Sequence, residues 1–451
     1  MIDSERLSDL HQDELAKFSA RNPLAAKHAE ARAAHWHEGV PFHWMRDWPS
    51  PFPLVVASAE GATLTTVDGQ QLDDFCLGDT AAMFGHSPLP VARAIARQAA
   101  SGISSMLPTA EVDRVGELLA KRFALPLWQL TTTASEANRA VIRWCRGITG
   151  RRKVLIFNGC YHGAVDDVFV DLRHGMPETR PSLMGQVADI TQTTTAIEFN
   201  DVAALQNALQ TRDYACILAE PVMTNVGMVQ PEPGFLERVR ELTRDTGTLL
   251  IWDETHTISS GWAGHSGGIG LAGDLLVIGK SIGGGVPCAA FGFSAEVAEG
   301  MKAARAALPP GHSGIGTTLS ANALAIAAIR AMLEEVMTQS AYAHMGALAE
   351  QLVTGLRAVI ARLGLPWHIA NVGARVELIC AAVPPRNGTD ARAAMDHPLE
   401  ALLHLMLVNR GSLLAPFHNM MLVSPATSEP QVARLVANFA EVAALLQEEC
   451  R

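Results

Sequence analysis

The sequence predicts an α/β fold, because short apolar runs alternate with amphipathic helical stretches along its central part. Four apolar runs are too short for helices and lack polar alternation, which is typical of strands buried in a parallel sheet: VLIF (154–157), ACILA (215–219), TLLIW (248–252) and LLVI (275–278). Amphipathic stretches lie among them, for example 201–210 and 233–247. This alternation favours βαβ units and a layered α/β sheet.

The last quarter of the chain has a different pattern. An Ala-rich helical stretch from Leu319 to about Glu335 leads into three further helical segments that flank two strand-like pieces. The helical segments are 342–363, 395–409 and 429–448, and the strand-like pieces are 374–382 and 420–424. We therefore expect a smaller C-terminal α+β domain that begins near 325–335.

Composition narrows the class of protein. The 451 residues are 48% hydrophobic and 18% charged, with a net charge of −11, which argues against a nucleic-acid or anionic-membrane partner. The N-terminus lacks the apolar stretch of a secretory signal, and the chain has no long apolar run. Seven scattered cysteines without a CxxC pair favour reduced thiols and no metal site. We expect a cytoplasmic protein.

Polar residues follow three of the apolar runs. Glu220 follows ACILA, Asp253 follows TLLIW, and Lys280 follows LLVIG, at the strand ends where open α/β sheets bind ligands. By itself, an acid and an amine at neighbouring strand ends is equally consistent with a structural ion pair. Three glycines after Lys280 allow close backbone approach, and TASEAN (133–138) places backbone N–H groups at a helix N-terminus. Together these features suit pyridoxal 5′-phosphate (PLP).

Six motifs then resemble those of one family, in the family's order. They are TASEAN (133–138) for SGTEAN, CYHG (160–163) for YHG, AEPVMTNVG (219–227) for EPV-GN-G, DETH (253–256) for DEV, IGKSIGGGVP (278–287) for the cofactor-lysine motif, and TTLSAN (317–322) for GTLSGN. The chain is thereby identified as resembling the class III PLP-dependent aminotransferases, in the glutamate-1-semialdehyde aminomutase-like branch.

The resemblance implies a fold and a domain plan. The fold is type I of the PLP-dependent transferases, with a mostly parallel seven-stranded sheet in a large domain and a smaller C-terminal α+β domain. Residues 1–75 would pack on the active site and small domain, 76–325 would form the large PLP-binding domain, and 326–451 the small domain. A homodimer with shared active sites is also implied.

The resemblance also implies a role for each site residue. Lys280 would form the Schiff base and carry protons, Asp253 would pair with the pyridine nitrogen, and Tyr161 would stack on the ring. Further cofactor contacts would come from Ala134 and Ser135 at the phosphate, Thr255 on the second ring face, His162, Glu220 in a polar network, and Thr318 from a second subunit.

Some positions depart from the family pattern. Thr255 stands where Val is usual, His256 where Gln or Met is usual, and Ala134 where the phosphate loop has Gly. His256 is predicted either to hydrogen-bond the ring O3′ or to be a satisfied buried histidine. The aminomutases' GGVNSPVR-type signature is replaced by EGVPFHWMRDW (38–48), which argues against haem-pathway aminomutase activity.

Arginines are the predicted residues for binding a substrate carboxylate, because the planar guanidinium group can form two parallel hydrogen bonds with a carboxylate. Arg46 and Arg375 are the candidates, each with a structural salt bridge as the alternative, and Trp44 could line an apolar wall or pack in the core. Aminotransfer from an amino acid or amine to a keto acid is the default reaction. Aminomutation is the alternative, and racemisation or elimination could use the same chemistry.

Three other classes of protein are considered. Gly264–Gly268 matches GxSxG, but no strand precedes it, which argues against a serine hydrolase. Gly268, Gly270 and Gly273 match GxGxxG, but a strand follows rather than a helix, which argues against a dinucleotide fold. A non-enzymatic relative is disfavoured because Lys280 and Asp253 are both retained.

Overall fold

A computed structural model describes residues 4–311 and 313–448. The chain divides into two compact units. The terminal unit contains the described residues of Met1–Pro88, Ser340–Pro384 and Ala394–Arg451, and the central unit contains those of Leu89–Gln339 and Pro385–Ala393. The domain plan predicted from the sequence, which follows continuous stretches of chain, stays a prediction.

A seven-stranded sheet organises the central unit. In chain order its strands are β1 (Leu127–Thr131), β2 (Lys153–Phe157), β3 (Thr194–Ile197), β4 (Tyr214–Ala219), β5 (Leu249–Asp253), β6 (Leu275–Ile278) and β7 (Ala289–Phe293). Their spatial order is β1-β7-β6-β5-β4-β2-β3. Only β7 runs antiparallel to its neighbours β6 and β1, and all other pairs are parallel. The predicted mostly parallel seven-stranded sheet is confirmed.

The apolar runs form these strands because both faces of the sheet are covered. Every residue of β4, β6 and β7 is buried, so no polar alternation is needed. The helices of this unit are Leu89–Ala99, Glu111–Phe123, Ala134–Thr149, Val202–Gln210, Phe235–Thr246, Gly264–Gly268, Ala295–Ala306, Ala323–Ala331 and nearly all of Gly388–Ala394. A π-helical turn follows at Met332–Val336, and 3₁₀ turns lie at Asp166–Val168, Ile190–Gln192, Thr257–Ser260 and Lys280–Gly283. Strands Val170–Arg173 and Met176–Thr179 form a hairpin.

The terminal unit contains two small sheets. Strands Val56–Glu60, Thr63–Thr66, Gln71–Asp74 and Ser412–Leu413 form one, and His368–Val372, Arg375–Ile379 and Met420–Leu422 form the other. The helices are Ser4–Arg21, Pro23–Arg32, Gln339–Leu363, His397–Asn409 and Glu429–Glu448, with 3₁₀ turns at His37–Gly39 and His43–Arg46. Its apolar core includes Phe75, Leu352, Leu402, Met421 and Phe439. The predicted α+β character of the C-terminal part is confirmed.

Within residues 4–311 and 313–448, none of the helices combines the length and apolar character that a membrane span requires. The same residues contain no group of three His, Cys, Asp or Glu side chains arranged to hold a metal ion. Six cysteines of this part of the chain are free thiols. Cys450 lies outside the described residues.

Candidate active site

The central strands bring the predicted polar residues to one edge of the sheet. β5 ends at Asp253 and lies between β4, which Glu220 follows, and β6, which Lys280 follows two residues on. Because these strands are parallel, their carboxyl ends lie on the same side. Lys280 has a φ of 47°, in the left-handed region that costs a non-glycine residue about 1–2 kcal/mol. Such strain is concentrated at functional sites.

Asp253 is the best-connected acid of the site. Its Oδ2 accepts from Asn138 Nδ2 at 2.8 Å and lies 2.9 Å from His162 Nδ1, and its Oδ1 accepts from the Thr255 backbone N–H at 3.1 Å. Burial by itself would raise the pKa of Asp253, but the hydrogen bond and charge of His162 outweigh burial and lower the pKa to about 2. Asp253 is therefore a permanent buried anion at neutral pH.

His162 has the complementary shift. Burial disfavours the imidazolium, but Cys160 and the Asp253 carboxylate outweigh it and raise the pKa of His162 well above its usual value. The imidazolium and the carboxylate therefore stabilise one another in a place that water does not reach. The second ring nitrogen, Nε2, is buried and has no hydrogen-bond partner among the described residues.

The first turn of helix Ala134–Thr149 is built to accept an anion. Thr133 caps it by accepting from Glu136 N at 3.2 Å, and the Glu136 carboxylate accepts from Thr132 N at 2.8 Å. The N–H groups of Ala134 and Ser135 have no intrahelical acceptor at these positions. Ser135 Oγ accepts from Ala164 N at 3.0 Å, so its own proton is left to donate.

Two glycines make room beside this turn. A Cβ on Gly163, whose φ is 83°, would lie 2.1 Å from Ser135 Oγ. A Cβ on Gly279 would lie 2.9 Å from the Cβ of Ala134. The extra methyl group of Ala134, where the family has glycine, is thus accommodated because Gly279 has no side chain.

A chain of polar side chains connects Glu220 to Lys280. Glu220 Oε2 accepts from the hydroxyl of Thr224, Thr224 Oγ1 lies 2.7 Å from His256 Nδ1, and His256 Nε2 contacts Lys280 Nζ. Burial raises the pKa of Glu220. His256 is thus held by side-chain contacts on both ring nitrogens.

Three other predicted residues have distinct surroundings. Tyr161 is 45% exposed, and the centroid of its ring lies 6.5 Å from that of the Phe169 ring. The hydroxyl of Thr255 is buried and has no hydrogen-bond partner within the described part of the chain. Thr318 is exposed in the turn before helix Ala323–Ala331.

The predicted substrate residues belong to the terminal unit. Trp44 and Arg46 lie in the exposed turn His43–Arg46, where Arg46 Nη1 donates to Pro51 O at 3.2 Å. Arg375 is fully buried, donates to the Thr80 hydroxyl and lies 3.8 Å from Asp79 Oδ1. Arg375 therefore has the structural ion pair that the sequence left open, and a substrate role for any of the three stays a prediction.

Sequence reasoning missed Asn138 and Thr224, and it identified Glu254 only as a second polar residue after TLLIW, without a role. Asn138 belongs to TASEAN and faces the sheet among buried apolar residues of its helix, so an amide there required a polar partner. Thr224 was visible only as a departure from EPV-GN-G. Glu254 is fully buried, and its carboxylate accepts from the backbone N–H groups of His265 and Ser266 at 2.9 and 2.6 Å. Ser266, the serine of the GxSxG match, is therefore buried in a structural contact.

The arrangement fits PLP on the observations above. The helix turn at Ser135, where Gly163 leaves space for a ligand, suits a phosphate. Asp253 Oδ1 can accept a hydrogen bond from a protonated ring nitrogen. The Thr255 hydroxyl has unused hydrogen-bonding capacity. When bound, PLP withdraws electrons from the substrate carbon that carries the amino group. Asp253 is suited to keep the ring nitrogen protonated, and Lys280 Nζ is the amine at the same sheet edge.

Comparison with known proteins agrees with this geometry. The family model Aminotransferase class-III matches residues 45–423. Glutamate-1-semialdehyde 2,1-aminomutase of Neisseria meningitidis serogroup C is 33% identical over 399 residues, 86% of this chain and 91% of its own length. The structure of a glutamate-1-semialdehyde-aminomutase from Pseudomonas aeruginosa is 47% identical with a TM-score of 0.96, covering 99% of both chains. A β-phenylalanine aminotransferase from Variovorax paradoxus is 27% identical with a TM-score of 0.86, covering 97% of both chains.

Fold and site together define a PLP-dependent enzyme of fold type I. The chain belongs to the class III aminotransferase family, as its motifs predicted. Its cofactor is pyridoxal 5′-phosphate, which confirms the cofactor expected from the sequence.

Proposed function

We propose that this enzyme is a 2,1-aminomutase, which moves an amino group between adjacent carbons of a small semialdehyde substrate. The observation that carries the proposal is the likeness over 99% of the chain, at 47% identity, to a protein described as a glutamate-1-semialdehyde-aminomutase. Glutamate-1-semialdehyde is therefore the first substrate to test. The enzyme would return an isomer of the same mass, with no net consumption of an amino donor.

Intermolecular aminotransfer is the second candidate. It is supported by the similarity to a β-phenylalanine aminotransferase and by the replacement of the GGVNSPVR-type signature by residues 38–48. The donor would then be an amino acid or amine and the acceptor a keto acid. The two reactions would use the same residues of the central unit. In aminotransfer the deaminated product leaves the site before the keto acid enters, whereas in aminomutation the same molecule stays and receives the amino group on its adjacent carbon.

The site residues would divide the work as follows. The Ser135 turn binds the phosphate, Asp253 holds a proton at the ring nitrogen, and Tyr161 and Thr255 contact the two ring faces. Lys280 would hold the cofactor through its amine, and the same amine would move a proton at the substrate carbon. A structure of the Pseudomonas protein with one lysine replaced by alanine is a complex with PMP, which supports cofactor binding by a variant that lacks such a lysine.

The test of the reaction is a mass balance. Purified holoenzyme is incubated with glutamate-1-semialdehyde with and without added keto acid, and substrate, isomer and amino-acid products are quantified. An aminomutase converts substrate to isomer mole for mole without any acceptor. Turnover that stops after one equivalent per site unless a keto acid is supplied would instead establish the aminotransferase.

The role of Lys280 has a separate test. Borohydride reduction of the wild-type holoenzyme should fix one cofactor on the peptide that contains Lys280, and Lys280→Ala should bind cofactor without this attachment. Turnover should fall far more than the ~10²–10⁴-fold typical of a single acid–base group, because anchoring and proton transfer are lost together. Lys302→Ala, an exposed lysine paired with Glu299, is the control.

We also propose a homodimer whose sites are shared through Thr318. Two segments of the central unit, 103–107 and 308–319, contain large apolar side chains that are at least half exposed. They are Ile103, Met106, Leu107, Leu308 and Leu319, at 50, 78, 73, 63 and 57%. Leu324 N donates to Ile103 O at 3.4 Å, which ties the first of these segments to the helix after Thr318. A second copy covering these side chains would remove them from water.

Mixed dimers test the shared site. Thr318→Asp places a negative charge against the phosphate, and Lys280→Ala removes the amine, so each homodimer should be inactive. If Thr318 acts across the interface, heterodimers contain one intact site, and random mixing restores up to about a quarter of wild-type activity. Heterodimers that are confirmed by mass but remain inactive would contradict sharing.

A further inference from the structure

Two departures from the family's motifs contact one another. Thr224 stands at the glycine of EPV-GN-G, and His256 stands where Gln or Met is usual. Thr224 Oγ1 and His256 Nδ1 are 2.7 Å apart, both residues are buried, and the other ring nitrogen of His256 contacts Lys280 Nζ. Thr224 and His256 therefore form one connected chain of side-chain contacts that ends at the amine of Lys280.

The hydrogen bonds of this chain of side chains have a defined direction. Glu220 Oε2 accepts from the backbone N–H of Thr224 at 3.1 Å as well as from its hydroxyl, and the oxygen of an ionised carboxylate only accepts. The Thr224 hydroxyl therefore gives its proton to Glu220. Its oxygen is left to accept, so His256 Nδ1 carries a proton and Nε2 presents a lone pair to Lys280.

Asn225 supplies the opposing influence. Its Nδ2 lies 3.3 Å from His256 Nδ1 and 3.3 Å from Glu220 Oε1. An amide nitrogen only donates, so a bond from Asn225 to Nδ1 would require the other tautomer, with the proton on Nε2. The shorter contact with Thr224 favours the proton on Nδ1, and Asn225 retains Glu220 as its acceptor.

We propose that Thr224 is a positioning residue that fixes the tautomer of His256, so that Nε2 accepts a proton from Lys280 and returns it. The inference rests on the proposed role of Lys280 as the amine that carries the cofactor. In the transfer, an N–H bond of the Lys280 ammonium breaks and one forms at Nε2. The resulting imidazolium donates from Nδ1 to Thr224 and from Nε2 to the neutral amine, whose lone pair becomes nucleophilic when the hydrogen bond from Nε2 opens.

The decisive measurement is the tautomer of His256 in the protein without cofactor. In ¹⁵N-histidine-labelled protein, the His256 signals are identified by their loss in His256→Gln. Wild type should show a protonated Nδ1 and an unprotonated Nε2. Thr224→Val keeps the shape of the side chain but lacks the hydroxyl. In this variant Asn225 should donate to His256 Nδ1, and the ring proton should move to Nε2. Thr224→Ser should retain the wild-type tautomer.

A second measurement follows the capture of Lys280 by added PLP, recorded by absorbance and trapped with borohydride. Thr224→Val should slow capture about five- to tenfold, the factor expected for one lost orienting hydrogen bond, and Thr224→Ser should stay close to wild type. Thr243→Val is the matched control, because that buried hydroxyl donates only within its helix, to Arg240 O at 2.8 Å. Thr224→Gly, the family's residue, replaces Thr224→Val if the latter fails to fold.

The outcomes separate this inference from the proposed function. An unchanged tautomer in the variants that lack the hydroxyl, or equal effects of Val and Ser, would overturn the role of Thr224. Wild-type protein in which borohydride fixes no cofactor on Lys280 would instead overturn the proposed function, whatever the tautomer of His256.

Discussion

The Asp253 carboxylate and the His162 imidazole form a fully buried ion pair, with Oδ2 and Nδ1 2.9 Å apart. Each member offsets the cost of burying the other, and the pair lies directly at the end of the central strand β5. Asp253 can therefore remain ionised although it is buried.

His162→Gln should weaken PLP binding most at mildly acidic pH. Without the imidazolium, burial of Asp253 is opposed only by the hydrogen bonds from Thr255 and Asn138, so the pKa of Asp253 should rise and the carboxylate should be neutralised at a higher pH than in wild type. Titration of apoprotein with PLP from pH 8 to 5 measures this directly. His404→Gln, a buried histidine of the terminal unit, is the control, and parallel affinity curves for wild type and His162→Gln would contradict the assignment.

Gly163→Ala should lower PLP affinity about tenfold or more, since its Cβ would lie 2.1 Å from Ser135 Oγ and displace a charge-assisted hydrogen bond to the phosphate. Gly175→Ala is matched in backbone strain, with a φ of 76° against 83°, but has open space around its Cβ. Both variants should lose about 1 kcal/mol of stability from the left-handed backbone, and Gly163→Ala should lose more because its Cβ would also lie 2.9 Å from the Cβ of Ser135. Only Gly163→Ala should show the larger dissociation constant, and equal affinities would argue against a phosphate at Ser135.

Arg375→Ala should destabilise the protein by roughly 2–4 kcal/mol, because it empties a fully buried site and leaves the Thr80 hydroxyl without this donor. Arg46→Ala should change stability by no more than about 0.5 kcal/mol, since Arg46 is exposed. Urea unfolding of the two variants makes the comparison.

Kinetics on the same two variants locate carboxylate recognition. The arginine that binds the substrate carboxylate should, when replaced, raise KM by a factor equivalent to about 1.5–3 kcal/mol and spare simple amines. We expect this from Arg46, because Arg375 already has Asp79 and Thr80 as partners. A selective KM effect from Arg375→Ala with little loss of stability would reverse this expectation.

His404 should make the terminal unit sensitive to acid. It is fully buried, contacts Leu414 O through Nε2 at 3.0 Å, packs edge-on against Trp48, and burial lowers its pKa to about 4. The unfolded chain therefore binds more protons between pH 6.5 and 4, so stability falls as the pH falls through this range.

The loss attributable to His404 between pH 7 and pH 4 is about 3 kcal/mol. His404→Gln, which keeps a donor for Leu414 O but does not titrate, should lack this part of the pH dependence. Urea unfolding at pH 7, 5.5 and 4 provides the comparison. A constant difference between wild type and variant across these values would show that His404 has the same pKa in the folded and unfolded states.

The amino-acid sequence by itself determined four of the seven strands and the polar residues at the ends of three of them. The runs at 154–157, 215–219 and 275–278 lie within β2, β4 and β6, and the run at 248–252 begins one residue before β5, because a strand buried on both faces needs continuous apolar residues whatever its neighbours. The same runs predicted Asp253 and Lys280 at strand ends, because each residue follows an apolar run, and the order of the motifs predicted the family.

Contacts between distant segments were decided only by the tertiary structure. Thr224 is 32 residues from His256, and Asn138 is 115 from Asp253, so neither pairing leaves a periodic signal in the sequence. Arg375 is a similar case, because a lone arginine in an apolar strand requires some partner, and only the fold shows that Asp79 and Thr80 provide it. Local pattern fixes which side chains must be satisfied, whereas packing selects the groups that satisfy them.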